Sequence, residues 1–216
     1  MTNVQTRTVG WGEPVFAVNL QARPTPEACG RLIALQAEIA GLGTELGLGP
    51  MRAMPPRHLH LTLFSIVYVR AVYPVDPRAL WARIGPSIIA GIGRTVAETC
   101  PPRLDFDEIA VQGDAVLVRA PNHPAIERLR DAVEAILAEH HAPVFRATTT
   151  HSTIARLHTP SDTGWSRPLR DMIAGGPLAW PIDGLRLVEE TVYPGLEERE
   201  IERFALTDGE PAVERR

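Results

Sequence analysis

Lysine is absent from this chain: all 22 basic residues are Arg. That absence removes whole classes of chemistry. There is no P-loop lysine to reach a nucleotide's phosphates. There is no lysine for a Schiff base with a pyridoxal cofactor, and none to be adenylylated in an ATP-dependent ligase. Cysteine is scarce too. Cys29 and Cys100 stand alone, which makes no disulfide framework, so a reducing cytoplasm is expected. No apolar run is long enough to span a bilayer; the longest, around residues 59–69, falls well short. The opening MTNVQTRTVGWGEP joins no basic start to an apolar stretch. No signal peptide and no membrane association are therefore expected. A net charge of −4 argues against a long nucleic-acid track, although a local groove can still be basic.

What the chain does have is an ordinary globular balance, 44% hydrophobic and 22% charged over 216 residues. That suffices for one domain with a substantial core. It also carries one short pattern twice: His60-Leu61-Thr62-Leu63 and His151-Ser152-Thr153-Ile154. Both read His-x-Thr-apolar, in stretches rich in strand formers. Alternate strand side chains share a face, so each copy offers an imidazole and a hydroxyl to one surface. Two such pairs around one groove supply an acid, a base and two hydroxyl donors to a phosphate-sized gap. That set can cleave a phosphodiester without a metal.

Periodicity orders the rest. Residues 15–20 read as a first strand. Thr25-Pro26-Glu27 starts a helix carrying Leu32, Leu35, Ile39 and Leu42 on one face. The segment from Pro55 through Val69 reads as a central strand. Asp76-Pro77 opens a second helix to about Ala97, which Gly85-Pro86 should kink or split. Leu104–Ile109 and Ala115–Ala120 look like a hairpin turning at Gln112-Gly113-Asp114. A helix from about Asn122 to His140, the second motif strand and a short helix at about 163–174 follow. Strands 185–192 and 201–206 close the chain, joined by Tyr193-Pro194-Gly195 and an acidic loop. Each half thus runs strand, helix, motif strand, helix, which is a weak architectural repeat. The expected organisation is an N-terminal extension (1–13), a single bilobal domain (14–207) and a frayed tail (208–216). The class is α+β: two pseudo-symmetric lobes of antiparallel sheet plus helices around a central groove.

The paired motifs resemble those of the two-histidine phosphoesterase superfamily, most closely its bacterial 2′-5′ RNA ligase and cyclic phosphodiesterase branch. Leu59 before the first motif and Ala155-Arg156 after the second belong to the likeness, which spans roughly residues 14–207. Phe64-Ser65-Ile66-Val67 stands where the family usually has an aromatic-Leu-Gly turn, and this leaves the substrate open. The resemblance implies that one of His60 and His151 is general base and the other general acid. It implies that Thr62 and Thr153 hold the non-bridging phosphate oxygens, with no cofactor. The implied activity is a metal-independent phosphodiesterase on a 2′,3′-cyclic nucleotide or RNA end, with 2′-5′ ligation as the same transesterification. A small nucleotide or an RNA end is the expected partner, and a monomer the expected state.

Other residues are candidates for substrate contact. Arg57 and Arg146 flank the motif strands and could clamp a phosphate. Phe64 shares the His60 face by parity and could stack a base, or fill the core. Arg156 falls on the opposite parity from His151, so it should brace the strand or reach the rim. Tyr193 could close over the groove. His58 reads as a rim residue on the His60 face, but it also supports a rival: His58-x-His60 has a metal-ligand spacing that His151 or His158 could complete. A third reading is a catalytically silent nucleotide- or RNA-end-binding domain.

Overall fold

Each motif strand ends up at the middle of one sheet, and the two lie side by side. The computed structural model describes residues 5–42, 49–161, 166–171 and 178–206. The strands are β1 (Pro14–Ala22), β2 (Met51–Ala53), β3 (Leu61–Val67), β4 (Arg103–Phe106), β5 (Glu108–Ala120), β6 (Thr150–Ser161), β7 (Ser166–Pro168), β8 (Leu178–Pro181), β9 (Gly184–Val192) and β10 (Glu197–Ala205). The helices are α1 (Pro26–Leu42), α2 (Pro77–Ala97) and α3 (Pro124–Glu139). The main sheet runs β10-β9-β1-β3-β6-β5-β7, with β2 also paired to β6. Every pairing in it is antiparallel. The motif strands β3 and β6 meet at the seam, with β1 flanking one and β5 the other. The expected α+β class with pseudo-symmetric lobes of antiparallel sheet is what the molecule adopts.

Sequence explains the helices. Thr25 Oγ1 accepts from the Ala28 amide (3.3 Å), and Asp76 Oδ1 accepts from the Arg78 and Ala79 amides (2.7 and 3.0 Å). Both are N-terminal caps, each followed by a proline in the first turn. Leu32, Leu35 and Ile39 of α1 and Leu80, Ile84 and Ile88 of α2 are buried in the core. Full burial of one such side chain stabilises by about 1.5–3 kcal/mol. Despite Pro86, α2 is one unbroken helix of 21 residues. In α3, the His123 side chain accepts from the Ala125 amide (3.2 Å), and His140 caps the other end.

Four expectations are corrected. The first motif strand begins only at Leu61: Pro56–His58 forms a 3₁₀ turn, because Pro55 and Pro56 have no amides to donate to a ladder. Gln112-Gly113-Asp114 is no hairpin turn. It lies inside the long β5, where Gly113 (φ 58°) accommodates a register shift, and β4 pairs with β8 instead. At 163–174 the described residues form β7 and a 3₁₀ turn (Leu169–Asp171) rather than a helix; the remainder of that segment lies outside the described residues. The acidic run Glu197–Glu200 is part of β10, not a loop: Glu198 pairs with Arg23 and Glu200 with Arg186, while Arg199 between them pairs with Glu189. The expected tail, 208–216, also lies outside the described residues. Of the N-terminal extension, residues 5–13 bond to the main body through Arg7 N to Arg70 O (2.7 Å) and Gly12 N to Tyr193 O (2.8 Å).

Candidate active site

Leu61 of β3 pairs with Ser152 of β6, and Ser152 Oγ donates to the His60 carbonyl (2.7 Å). The middle residues of the two motifs therefore meet across the seam. Carried one residue each way, that antiparallel register sets His60 toward Thr153 and Thr62 toward His151. All four side chains line one groove of about 700 Å³.

Each motif strand then does the same unexpected thing. In β3, Thr62 pairs with Gln21 and Phe64 with Leu20, so Leu63 is an extra residue against β1. In β6, Thr153 pairs with Leu117 and Ala155 with Val116, so Ile154 is an extra residue against β5. The apolar fourth residue of the motif is a β-bulge both times. A bulge shifts side-chain parity by one. Phe64 consequently turns away from the groove and is fully buried, paired with Leu20; it fills the core and stacks no base. Arg156, expected on the opposite face from His151, is carried into the groove. Ser65 takes the equivalent place in β3 and also lines the groove.

The other candidates divide. Tyr193 lines the groove. Arg146 lines it too, but its guanidinium is bound by Glu127 (2.5 Å), Asp131 (2.6 Å) and Glu134 (2.9 Å), which leaves it little to offer a phosphate. Arg57 and His58 sit in the 3₁₀ turn and do not line the groove. Arg57 Nε donates to His58 Nε2 (2.8 Å), and buried His58 Nδ1 has no partner among the described residues. The 3₁₀ turn breaks the His58-x-His60 alternation on which the rival ligand set depended. Among the described residues no three His, Cys, Asp or Glu side chains gather as a metal site, and His158 is exposed and accepts from Arg52 Nε (3.2 Å).

Both motif imidazoles are tethered through Nδ1 to the residue two positions back, leaving Nε2 for the groove. His60 Nδ1 donates to the His58 carbonyl (2.8 Å), and His151 Nδ1 contacts Thr149 Oγ1 (3.0 Å). Burial is the largest influence on both and holds both below the ordinary histidine range, because the charged ring loses water. The opposing influences differ. Glu198 and the His58 carbonyl favour a charged His60, against Arg23 and His58. A charged His151 is favoured by the Thr149 backbone and opposed by Arg119, Arg130 and His60.

Several residues that sequence did not single out complete the site. Arg130 of α3 is wholly buried and staples the two halves. Its Nε donates to the carbonyl of the bulge residue Leu63 (3.1 Å), and its Nη2 to the carbonyl of Thr149 (3.0 Å), the residue that holds His151. Glu127 balances its charge (2.5 Å). Gly195 (φ 64°) lies against His60: a Cβ there would stand 3.2 Å from His60 Cε1. Its amide donates to Glu190 Oε1 (2.7 Å). Glu190 lines the groove, and burial pushes its carboxyl up to about 7. Arg130 is an Arg amid an apolar helical face, which is the signal that could have found it; Gly195 and Glu190 carry no local signal.

A family model, that of the 2′-5′ RNA ligase superfamily, matches residues 33–193. The chain belongs to that superfamily. Membership places it among phosphodiesterases and RNA ligases of the two-histidine type. The fold is shared with solved structures. TT0787 of Thermus thermophilus is 19% identical with a TM-score of 0.61, covering 88% of this chain and 97% of that one. E. coli LigT complexed with 3′-AMP is 17% identical with a TM-score of 0.62, covering 90% and 99%. E. coli LigT complexed with ATP is 17% identical with a TM-score of 0.55, at the same coverage. No curated protein matches this chain significantly. No helix among the described residues is long and apolar enough to cross a membrane.

Proposed function

We propose that this chain is a phosphodiesterase that opens a 2′,3′-cyclic phosphate on a nucleotide or RNA end by His–His general acid–base catalysis, with no metal in the reaction. The observation that carries the reading is the seam: two His-x-Thr motifs crossing at Leu61 and Ser152, with both His and both Thr residues lining one groove. The surroundings divide the labour. The Glu198 carboxylate, which has no counterpart among the influences on His151, favours the protonated ring at His60, which makes it the acid in this reading. Cations beside His151 favour its neutral ring, which makes it the base.

In this reading His151 Nε2 takes a proton from water as the water oxygen attacks phosphorus. A bond from phosphorus to one ribose oxygen breaks, and His60 Nε2–H protonates that oxygen. Thr62 and Thr153 hydroxyls donate to the two non-bridging oxygens, where charge accumulates. With a 5′-hydroxyl in place of water the same steps join two RNA ends through a 2′-5′ linkage and need no nucleotidyl-lysine. The test is a panel of cyclic and linear phosphodiesters with product identification, with and without chelator. Cleavage of a 2′,3′-cyclic nucleotide that survives EDTA is expected; loss with EDTA and recovery with one metal would overturn the reading.

A further inference from the structure

The two bulges are held by helices, and each hold comes from the opposite half of the chain. The extra residue of a bulge is left without a ladder partner on that side. The carbonyl of Leu63, the first bulge residue, is taken by Arg130 of α3. The carbonyl of Ile154, the second, is taken by Gln36 of α1. Gln36 Nε2 donates to the Ile154 carbonyl (2.6 Å) and to the Met54 carbonyl (2.8 Å). The Met54 amide donates to the same Ile154 carbonyl (2.8 Å). The helix before the first motif thus grips the second motif's bulge, and the helix before the second motif grips the first's. Gln36 is buried on α1, which also buries Leu32, Leu35 and Ile39. Packing alone would be met there by an apolar residue. A buried carboxamide costs stability unless its donors are met, and its nitrogen serves two backbone carbonyls.

Thr153 stands immediately before the second bulge, and a bulge sets which side chains face which way. We propose that Gln36 is a positioning residue: by pinning the Ile154 carbonyl it fixes the bulge and keeps the Thr153 hydroxyl aimed at the reacting phosphate. This rests on the assignment of Thr153 as a donor to that phosphate. Gln36 does not line the groove, so its effect on the reaction passes through Thr153.

A double-mutant cycle separates positioning from mere support of the fold. Gln36→Met keeps the side chain's length and removes both donors. On a 2′,3′-cyclic nucleotide its kcat should fall roughly 10- to 100-fold, as for a displaced catalytic donor, with KM near the wild-type value. Added to Thr153→Ala, it should cost no more than about twofold further, since the hydroxyl it serves is gone. Added to Thr62→Ala, it should lower kcat by its full single-variant factor. Gln36→Asn, which holds the carboxamide one methylene short of its acceptors, runs the same cycle if Gln36→Met does not fold. Amide hydrogen exchange reads the bulge apart from turnover. The Met54 amide should exchange roughly tenfold faster in the Gln36 variant, as for a weakened hydrogen bond. The Leu206 amide, bonded to the Asp183 carbonyl, should be unchanged. A full further loss on top of Thr153→Ala, wild-type kcat in a folded Gln36 variant, or unchanged Met54 exchange overturns the positioning role. Faster Met54 exchange in a protein whose wild type cleaves no phosphodiester would count against the proposed activity alone.

Discussion

In the first half of the molecule the motif histidine bonds a backbone carbonyl and has the Glu198 carboxylate as well as the Arg23 guanidinium nearby; in the second it contacts a hydroxyl and has two guanidinium groups nearby. The backbone is repeated faithfully, down to a bulge at the fourth residue of each motif. The residues around it are not. After the bulge the first half presents Ser65 to the groove and the second presents Arg156. Burial holds both rings below the ordinary histidine range, and what tells them apart is the neighbourhood: a carboxylate acts on one, and two guanidinium groups with no carboxylate of comparable influence act on the other. Symmetry of backbone with asymmetry of field is what the proposed reaction, with one base and one acid, requires.

The largest expected effect breaks the comparison directly. His60→Ala and His151→Ala should each lower kcat/KM on a cyclic nucleotide by about 10²–10⁴-fold, and the double variant should be little worse than either. A nitrophenyl phosphodiester then separates the roles, since nitrophenolate departs without a proton. His60→Ala should recover most of its loss on that substrate and His151→Ala should not; the opposite pattern would exchange acid and base. Both rings are held below the ordinary value of about 6.5. The neutral base thus persists to lower pH, and the charged acid is lost earlier as pH rises. The pH profile of kcat/KM should be a bell with its maximum on the acid side of that value.

Next is the staple between the halves. Arg130→Leu removes the donors to the Leu63 and Thr149 carbonyls and leaves both buried. A loss of about 3 kcal/mol in stability is expected from urea unfolding. Arg130→Lys should recover only part of it, because an ammonium cannot fork to two carbonyls. A variant as stable as wild type would mean that the seam holds without the staple.

Thr62→Ala and Thr153→Ala should each lower turnover by roughly 10- to 1,000-fold, as for the loss of one donor to developing charge. Comparable losses would mean that the two hydroxyls serve equivalent oxygens, as the seam register suggests. A loss confined to one would show that only one half grips the phosphate.

How far the sequence reached follows from the same two strands. The motif pattern, the three long helices and the antiparallel class were legible because strand alternation and helical spacing are local, whereas the short helix expected at about 163–174 was not found among the described residues. Both motifs end in ordinary apolar residues, so nothing in Leu63 or Ile154 announces a bulge, and strict alternation then put Phe64 and Arg156 on the wrong faces, although a core place for Phe64 was among the expectations. Arg146 misled for a different reason. Its charge was visible, but three carboxylates from α3, spread along one helical face, met it only in space. Proline carried the opposite lesson. Pro55 and Pro56 ended the expected strand, whereas Pro86 left α2 whole.

A smaller effect concerns Glu190, which is pushed up to about 7 by burial. Above that pH it adds a negative charge to the groove, repels a phosphodiester and steepens the alkaline limb of the rate profile. Glu190→Gln keeps an acceptor for the Gly195 amide and removes the charge. The alkaline limb should become shallower while the acid limb stays in place. An unchanged alkaline limb would show that Glu190 does not titrate in the working range.

Arg146 gives the smallest effect and the sharpest check on the groove's charge. It lines the same cavity as Arg156, yet its three carboxylate partners saturate its donors, whereas Arg156 shares one carboxylate with Arg70. If saturation decides, Arg146→Gln should leave KM for a cyclic nucleotide within about twofold of wild type. Its cost should appear in stability instead, at no more than about 1 kcal/mol, since these are partly exposed pairs screened by water. Glu127 would still hold Arg130 after that change, so the staple survives. A rise of tenfold or more in KM would mean that the three acids release Arg146 when a phosphate arrives, and that the groove holds one more usable cation than the resting contacts allow.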